Sequence, residues 1–369
     1  MIYLIDGNAY INVAVNVVKR MLFNDKTIGK EYYMKDIFNE GNYILKETAR
    51  IRFRDFSLNY LSSLISPIQK EVNEVHMVFD SKSWRKEYVN STLKKVNLPS
   101  GDFKYKDRKK DEMIHLFFEY FQENIQKHLN KDSGINFHRI TGMEGDDIIA
   151  HLCESSKKNI AIYTVDKDMF QLVEDSGRYV FLVMPKMMSK SKKVFYTETK
   201  KEQDFFNLSS TDVSKGIGGV ISKFEQRGYE KNEIDPIQEI LTKIFAGDKS
   251  DNIPRIYKMT PSKVKKVVSY LLEKHGSDVL NKIDNYKNDS SFIDDCTKKV
   301  IEIAKIKDED VLSTLNEAIC LNIKLMRLST KMIPSKIKTD DYHEIHENKL
   351  YRKFNYSKLL EIKNNSVLI

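Results

Sequence analysis

Three short, mostly apolar runs in the first half of the chain each stop at an aspartate. They cover residues 2–5, 75–79 and 160–165, and the aspartates that follow are Asp6, Asp80 and Asp166. Runs of this length between polar turns are typical of strands buried on both faces. A single aspartate at a strand end is usually a turn residue or a helix N-cap. The repetition predicts three strands that each carry a carboxylate at the C-terminal end.

Helix-like stretches of mixed polarity separate these runs, for example residues 54–70 and 143–154. Strands that alternate with helices predict an α/β domain with a mainly parallel central sheet, and such sheets bind ligands outside the carboxyl ends of their strands. The stretch 185–201 indicates a hairpin or a linker near a domain boundary, and the chain reads as helical from Asp235 onward. We therefore predict an α/β domain over residues 1–185 and a mainly helical domain over residues 186–369.

Basic residues are concentrated in one segment of the chain. The whole sequence has a formal net charge of +8, and residues 81–110 alone hold ten basic residues against three acids. A charge run of this kind is usually a solvated face, but it is also the form that a phosphate-binding element takes. Charge alone does not separate these two interpretations.

The cysteine and hydrophobic patterns narrow the class of protein. Cys153, Cys296 and Cys320 lie far apart and form no CxxC pair, so neither a disulfide framework nor a structural zinc is expected. No stretch approaches the ~20 apolar residues that a membrane span needs, and the N-terminus lacks the pattern of a secretory signal. We expect an intracellular protein without membrane contact.

Acidic residues form tight groups at the predicted element ends. Besides Asp6 and Asp80, the groups are Glu144 with Asp146 and Asp147, Asp166 with Asp168, and Asp248 with Asp251. Helix capping explains any one group, because acids near a helix N-terminus interact favourably with the macrodipole. Nine carboxylates packed together would repel one another and would need cations. Oxygen ligands without His or Cys suit Mg²⁺ or Mn²⁺, and two such ions promote in-line hydrolysis of a phosphodiester.

Five motifs occur in a fixed order between residues 2 and 254. They are IDGNAY, VFDSKSWRKEY, MEGDDIIA, TVDKDMFQLV and GDKSDNIP. Together they resemble the flap endonuclease and 5′-exonuclease family, in particular its T-even-phage RNase H type. The resemblance implies a PIN-like α/β nuclease domain of the flap-endonuclease type, with a helical arch over residues 81–110. It also implies a helical helix–three-turn–helix DNA-binding module over residues 240–275.

The resemblance assigns roles to the acids and to part of the basic segment. It places Asp6, Asp80, Glu144 and Asp146 around a first metal ion. It places Asp147, Asp166, Asp168 and Asp251 around the cluster and a second ion, with Asp248 close by. Lys106 becomes the contact to the scissile phosphate, and Arg85 and Lys86 would face the same phosphate.

The arch departs from the family pattern near Lys106. Family members carry Tyr-Lys followed at the third position by Arg. Here Tyr105-Lys106 is followed by Arg108 one place early, and Lys109 occupies the usual slot. Either residue could support Lys106. Tyr105 is equally compatible with stacking on the terminal base and with packing in the core of the arch.

The helix–three-turn–helix module departs further. Arg255, Lys258 and Thr260 stand where the family has glycines for close backbone approach to a phosphate. The side chains that could replace that contact with duplex DNA are Arg255, Lys258, Lys263, Lys265 and Lys266. A potassium ion, which some relatives hold at this motif, is correspondingly less expected.

The leading functional hypothesis is a Mg²⁺- or Mn²⁺-dependent 5′→3′ exonuclease and structure-specific flap endonuclease with two metal ions. Its partner would be branched, nicked or RNA-primed duplex DNA during primer or flap removal in replication, in the cytoplasm of an infected bacterial host. A sliding clamp and a single-strand-binding protein are the candidate protein partners, and a monomer is expected. The alternatives are a PIN-like ribonuclease for single-stranded RNA and a non-catalytic replication factor that binds branched DNA.

Overall fold

A seven-stranded sheet lies at the centre of the computed structural model, in the order β3-β2-β1-β4-β5-β6-β7. The strands are β1 (Ile2–Asp6), β2 (Glu74–Val78), β3 (Ile135–His138), β4 (Ile160–Tyr163), β5 (Val180–Met184), β6 (Lys193–Glu198) and β7 (Tyr229–Ile234). Strands β3, β2, β1, β4 and β5 run parallel, β6 is antiparallel to β5, and β7 is parallel to β6. The prediction of an α/β fold with a mainly parallel central sheet is confirmed.

The structure describes residues 1–24, 46–92, 105–106, 112–175, 177–185, 193–198, 218–337 and 351–365. The helices up to β7 are α1 (Gly7–Asn24), α2 (Glu47–Ile65), α3 (Trp84–Thr92), α4 (Glu112–Tyr120), α5 (Gly145–Ser155) and α6 (Gly218–Glu225). Those after β7 are α7 (Pro236–Ala246), α8 (Pro261–His275), α9 (Val279–Asp284), α10 (Ser291–Ala304), α11 (Glu309–Met326) and α12 (Tyr356–Asn364).

Shorter helical segments extend these elements. The 3-10 helices are Ser66–Ile68, Lys167–Leu172, Gly276–Asp278 and Ser335–Ile337, and π-helical turns cover Phe121–Gln126 and Leu129–Ser133. Within the described ranges, no helix combines the length and the apolar character that a membrane-spanning segment requires.

The three strands predicted from the apolar runs lie side by side. β1 is the middle strand, and Ile5 is in register with Met77 of β2 and with Tyr163 of β4. Alternate residues of β1 pack into different cores, Tyr3 on one face of the sheet and Leu4 on the other, as strand geometry requires. Because the three strands are parallel, their carboxyl ends meet at one edge. The aspartates that end the three runs therefore converge there.

The sheet continues past the predicted domain boundary. β6 pairs with β5, so that Val183 lies opposite Phe195, and β7 pairs with β6. The boundary predicted between residues 185 and 186 therefore falls inside the sheet, because main-chain pairing joins residues on both sides of it. The helical part begins with α7, which Asp235 caps by accepting hydrogen bonds from the N–H groups of Ile237 and Gln238.

The C-terminal part of the chain returns to the sheet. Leu359 and Ile362 of α12 pack into the same core as α1 and α2. The N–H of Phe354 donates to the carbonyl of Asn73 at 2.9 Å, and the N–H of Asn355 donates to Ser133 at the same distance. Residues 351–365 thus pack with the α/β part, although they follow the helical part in sequence.

The helical part has a core of its own. α8 contributes Val264, Val267 and Leu271 at the three- and four-residue spacing of an amphipathic helix. Ile319 of α11 lies in this core, and so does Tyr105 from the predicted arch. The helical part therefore packs against the segment that the sequence assigned to the first domain, which brings its turns to the edge of the sheet.

Candidate active site

Main-chain and hydroxyl donors hold the carboxylates at the sheet edge. Asp6 Oδ1 accepts a hydrogen bond from the N–H of Ala9, and its Oδ2 accepts one from Thr164 Oγ1, both at 2.9 Å. Asp80 Oδ1 accepts from the N–H of Gly145, the first residue of α5, at 2.7 Å. Thr164 is absent from the predicted site residues, because a hydroxyl near a strand end carries no distinctive sequence signal.

Three further carboxylates come close enough to share a metal ion. Oxygen atoms of Asp146, Asp166 and Asp168 lie within 4.8 Å of one another. Asp166 caps the 3-10 helix by accepting from the N–H of Asp168 at 2.8 Å, so both carboxylates project from one tight turn. Asp146 comes from the first turn of α5. A donor set made only of carboxylate oxygens fits a hard divalent ion such as Mg²⁺ or Mn²⁺.

The electrostatics of this edge favour bound cations. Burial raises the pKa of Asp6 to about 7, and the charges of Asp80 and Asp166 add to the effect. Burial and the neighbouring Asp166 raise the pKa of Asp146 well above its usual range. Burial also raises the pKa of Asp80, although this residue keeps contact with solvent. Carboxylates that repel one another in this way ionise readily beside a cation, so a bound divalent ion would stabilise the cluster.

Glu144 is paired with three side chains. Its Oε1 accepts from Lys106 Nζ at 2.8 Å, and its Oε2 accepts from Arg85 Nη1 at 2.9 Å and from the Tyr105 hydroxyl at 3.2 Å. Burial acts to raise the pKa of Glu144, but the charges of Arg85 and Lys106 outweigh it and hold that pKa below its ordinary value. Glu144 is therefore an ionised carboxylate between the sheet edge and the predicted arch.

Arg85 lies beneath the site. Its side chain is 1% exposed and forms a bidentate pair with Asp147, with Nη2–Oδ1 at 2.6 Å and Nη1–Oδ2 at 2.8 Å. Trp84 Nε1 donates to the same carboxylate at 2.9 Å. The expectation that Arg85 faces the phosphate and that Asp147 faces the metal ions is therefore corrected. Both are engaged in a buried ion pair, which supports Glu144 from below.

Lys106 lies at the open side of the carboxylates. Its Nζ is 2.8 Å from Glu144 Oε1 and 3.3 Å from Asp251 Oδ2, and its side chain is 37% exposed. Its main chain donates to the carbonyl of Asp251 at 3.1 Å, and its φ of 47° is in the left-handed region. Burial disfavours the ammonium charge, but Glu144 and the other acids hold the pKa of Lys106 above its ordinary value. Lys106 is thus a fixed cation that solvent can reach.

The turn from Gly247 to Pro254 brings two acids from the helical part to the site. The N–H of Ser250 donates to Asp248 Oδ1 at 2.6 Å, and two main-chain hydrogen bonds join Asp248 with Ile253. Burial opposes the ionisation of Asp248, but the bonds from Ser250 outweigh it and hold its pKa below the usual value. Burial raises the pKa of Asp251. Asp251 therefore resembles the sheet-edge acids, whereas Asp248 mainly stabilises the turn.

Lys243 is a cation of the site that the sequence motifs did not single out. Its Nζ forms a salt bridge with Asp168 and lies 3.8 Å from Asp248 Oδ2. Burial lowers the pKa of Lys243, and the acids around it, Asp166 first, oppose that shift. A lone lysine on an amphipathic helix has no sequence signal. Only the packing of α7 beside the 3-10 helix reveals this residue.

Gly247 is required by the backbone of the turn. Its φ is 71°, and a Cβ would lie 2.5 Å from the carbonyl oxygen of Ile253 and 2.6 Å from the nitrogen of Arg255. We expect Gly247→Ala to lower the free energy of unfolding by more than the ~1–2 kcal/mol of left-handed strain alone. Gly228→Ala is the matched control, because its φ of 79° is similar and nothing lies within 4 Å. Equal losses in urea denaturation would contradict a steric requirement at Gly247.

The predicted nucleic-acid contacts of the helical part lie at its surface. Arg255 and Lys258 are exposed in the turn before α8, and Lys265 and Lys266 are exposed on α8 itself, with Lys263 half-buried beside them. Lys258 has a φ of 54°, so it keeps the left-handed backbone of a glycine at this point while adding a positive side chain. The turn therefore combines a glycine-like shape with a cation.

The predicted contacts around the arch are placed differently. Lys86 is exposed on α3. Tyr105 is 3% exposed and packs into the core of the helical part, so of the two interpretations left open for this residue the structure favours packing over base stacking: the ring is covered by protein. Arg108 and Lys109 lie outside the described residues, as does most of the predicted arch.

Comparison with known proteins places the first part of the chain in a family. Residues 1–205 match the family model described as the 5′-3′ exonuclease N-terminal resolvase-like domain. No curated protein matches the sequence. Among solved structures, the T5 5′-exonuclease with bound zinc ions has a TM-score of 0.51 at 13% identity, over 98% of this chain and 99% of that one. At this identity the likeness establishes the fold, which is PIN-like.

Two further solved structures are less similar. The bacteriophage T5 flap endonuclease, in a complex with DNA and metal ions, has a TM-score of 0.48 at 15% identity, over 98% of this chain and 99% of that one. The catalytic core of Rad2 in complex with a DNA substrate has a TM-score of 0.34 at 14% identity, over 100% of this chain and 92% of that one.

Proposed function

This chain belongs to the family defined by the 5′-3′ exonuclease N-terminal resolvase-like domain and is an enzyme of the nuclease class; from that premise we propose that it cleaves nicked, flapped or RNA-primed duplex DNA at the 5′ end of a strand. Divalent metal ions, Mg²⁺ or Mn²⁺, would be required. The role that fits this activity is removal of primers or flaps during DNA replication.

The observation that carries the proposal is the carboxylate triple at the sheet edge. Asp146, Asp166 and Asp168 present oxygen atoms within 4.8 Å of one another, and the pKa of Asp146 is raised well above its usual range by burial and by Asp166. Helix capping explains a single acid, but it does not explain three carboxylates from two separate elements that face one another. A site of this kind is built for a divalent cation.

These three carboxylates would hold one divalent ion, and Asp6, Asp80 and Asp251 would contribute to a second. When bound, such ions lower the pKa of a water molecule and stabilise the charge on the leaving oxygen of the phosphodiester. In the hydrolysis, the water oxygen bonds to phosphorus and the bond from phosphorus to the 3′ oxygen breaks, while the water gives up one proton to solvent and the leaving 3′ oxygen takes up one proton from solvent. The products are a 5′-phosphate and a 3′-hydroxyl.

The chain's own cations orient the phosphate. Lys106 offers a charged group with solvent access, and its hydrogen bond to Glu144 fixes its position at the open side of the carboxylates. Lys243 lies beside Asp168, another acid of the cluster. A phosphate at the carboxylates would meet the positive charge of these lysines, and charge-assisted hydrogen bonds from lysine are stronger than neutral ones. Arg85 would not reach the phosphate, because its guanidinium is buried in hydrogen bonds to Glu144 and Asp147.

The duplex would lie along the helical part. Arg255, Lys258, Lys265 and Lys266 are exposed on one turn and the helix that follows it. That turn continues directly from the one that carries Asp248 and Asp251, so contacts to the duplex backbone would set the distance from the duplex to the carboxylates. Contacts of this kind depend on salt but not on base sequence.

A cleavage panel tests the proposal. Flap, nicked, gapped and RNA-primed duplexes with a labelled 5′ strand are incubated with the protein and Mg²⁺ or Mn²⁺, and single-stranded RNA of the same sequence is added as a fifth substrate. We expect metal-dependent release of 5′ fragments from the flap, nicked and RNA-primed duplexes, and none with EDTA. Cleavage confined to single-stranded RNA would favour the ribonuclease alternative. Binding of flaps without cleavage in either metal would favour a non-catalytic factor.

A further inference from the structure

The end of α11 bonds directly to the turn of Asp248 and Asp251 and to the segment of Asp166 and Asp168, and it reaches Glu144 through Arg85. We infer that residues Asn322 to Leu328, the α11 hinge turn, position the carboxylates of the active site relative to one another. The inference rests on the proposed metal-dependent function and extends it to a segment more than fifty residues beyond the last sequence motif. None of these residues touches the open face of the site, so they act through their neighbours.

The first contact fixes the turn that bears Asp248 and Asp251. Asn322 is 1% exposed, and its Nδ2 donates to the carbonyl of Ile244 at 2.8 Å and to that of Pro254 at 2.9 Å. These carbonyls lie on either side of the turn, one at the end of α7 and one just after the acids. One amide group thus closes both ends of the turn.

The second contact reaches Glu144. Arg85 Nε donates to the carbonyl of Leu325 at 2.9 Å, while the other nitrogens of the same guanidinium hold Glu144 and Asp147. The carbonyl of Leu325 is among the last four of the helix, which have no partner within it and carry the negative end of the helix dipole. Arg85 therefore joins the end of α11 to the start of α5.

The third contact reaches the segment of Asp166 and Asp168. Gln171 Nε2 donates to the carbonyl of Met326 at 2.9 Å and to that of Asp168 at 3.1 Å. Its Oε1 accepts from the N–H of Leu328 at 2.8 Å. Gln171 is 5% exposed and uses both ends of its amide on the α11 hinge turn.

A salt bridge anchors the α11 hinge turn itself. The guanidinium of Arg327 binds the Asp284 carboxylate through Nε at 2.8 Å and Nη2 at 3.1 Å. Its Nη1 lies 3.4 Å from Gln171 Oε1. The turn is thus held by the helical part and by the sheet part at the same time, so it can transmit the position of one to the other.

These contacts have a chemical consequence. The acids come from separate segments, and metal affinity depends on how well their oxygens are held at a common spacing. Loss of outer hydrogen-bond partners typically costs metal sites about 10–100-fold in affinity or activity. The end of α11, which bonds two of these segments directly and the third through Arg85, is such an outer partner. Burial of the side chains involved means that water cannot readily replace the lost bonds.

The test replaces Gln171 and measures metal binding directly. We expect Gln171→Met to weaken Mn²⁺ binding about 10–100-fold in calorimetry, and to lower kcat on a flap duplex by a similar factor with little change in KM. Gln171→Glu keeps the shape and the bond accepted from Leu328, but it turns a carboxylate oxygen toward the carbonyls of Met326 and Asp168, so its Mn²⁺ affinity should fall as well. Gln226→Met is the matched control, because Gln226 is exposed at the end of α6.

The outcomes separate this inference from the proposed function. If the wild-type protein binds no Mn²⁺ and cleaves no substrate, the proposed function fails. If the wild type binds Mn²⁺ and both Gln171 variants bind it as tightly while folded, the inference fails. Circular dichroism melting reports folding, and should Gln171→Met unfold, the Gln171→Glu result alone decides. Equal loss of affinity in Gln226→Met would also overturn the inference, since that residue makes none of these bonds.

Discussion

Replacing Asp166 and Asp168 together by asparagine will remove metal-dependent cleavage almost completely. The change removes the negative charges of Asp166 and Asp168, two of the three carboxylates that come close enough to share a metal ion. It keeps the size of each side chain and the cap formed by residue 166. Metal ions supply several kcal/mol of transition-state stabilisation, and each ~1.4 kcal/mol is tenfold in rate. We expect kcat on a flap duplex to fall by about 10³-fold or more, measured under single-turnover conditions with Mg²⁺.

The control for this variant carries the same chemical change elsewhere. Asp278 and Asp289 are exposed in the helical part and belong to none of the segments that carry the acids of the site, so an Asp278→Asn/Asp289→Asn variant should cleave at the wild-type rate. Binding of the flap duplex in EDTA should be the same or slightly tighter for the Asp166→Asn/Asp168→Asn variant, because two negative charges are removed from a phosphate-binding site. Retention of more than a tenth of the cleavage rate would show that the triple is not the catalytic metal site.

Replacing Arg85 by methionine will produce the largest loss of stability among single changes near the site. The substitution leaves Glu144 and Asp147 buried without their shared counter-charge, with exposures of 6% and 1%. Breaking a buried ion pair by removing one partner typically costs about 3–5 kcal/mol, because the remaining charge is uncompensated. We expect a decrease of this size in the free energy of unfolding, measured by urea denaturation at neutral pH.

Two further variants give this result its meaning. Arg50→Met removes a partly exposed arginine that lies 3.8 Å from Glu47, so it should cost less than about 1 kcal/mol. Adding Asp147→Asn to Arg85→Met removes one of the stranded charges and should recover part of the lost stability. If Arg85→Met is no more destabilising than Arg50→Met, Arg85 is not a structural cation, and the earlier expectation that it faces the phosphate regains support.

The central sheet could be predicted because its information is local. Each of the three runs is continuous in sequence and shows its burial by composition, and β1, β2 and β4 appear where the runs predict them. Parallel strands of an α/β fold also share one polar edge, so the convergence of Asp6, Asp80 and Asp166 follows from the pattern. The order of the five motifs predicted the other acids of the cluster, since it identified Glu144, Asp146 and Asp168 as members of the same group.

Roles that depend on which way a side chain points could not be predicted in this way. Asp146 and Asp147 are adjacent in sequence, but one faces the carboxylate cluster and the other faces a buried arginine, because successive helix residues diverge by about 100°. Tyr105 and Lys106 divide similarly: the ring is buried while the ammonium group reaches solvent. A motif specifies that such residues occur together, but not which of them faces the ligand.

The sequence by itself determined the fold class, and it predicted the site at the carboxyl edge of the sheet with oxygen ligands. Only the tertiary structure decided that the sheet runs on past residue 185, that Lys243 lies among the acids, and that the end of α11 bonds two of the segments that carry them and reaches the third through Arg85. The physical reason is the sequence separation of the residues that interact. Strand and helix patterns arise from neighbours a few residues apart, whereas these features arise from contacts such as that of Arg85 with Leu325, which are 240 residues apart.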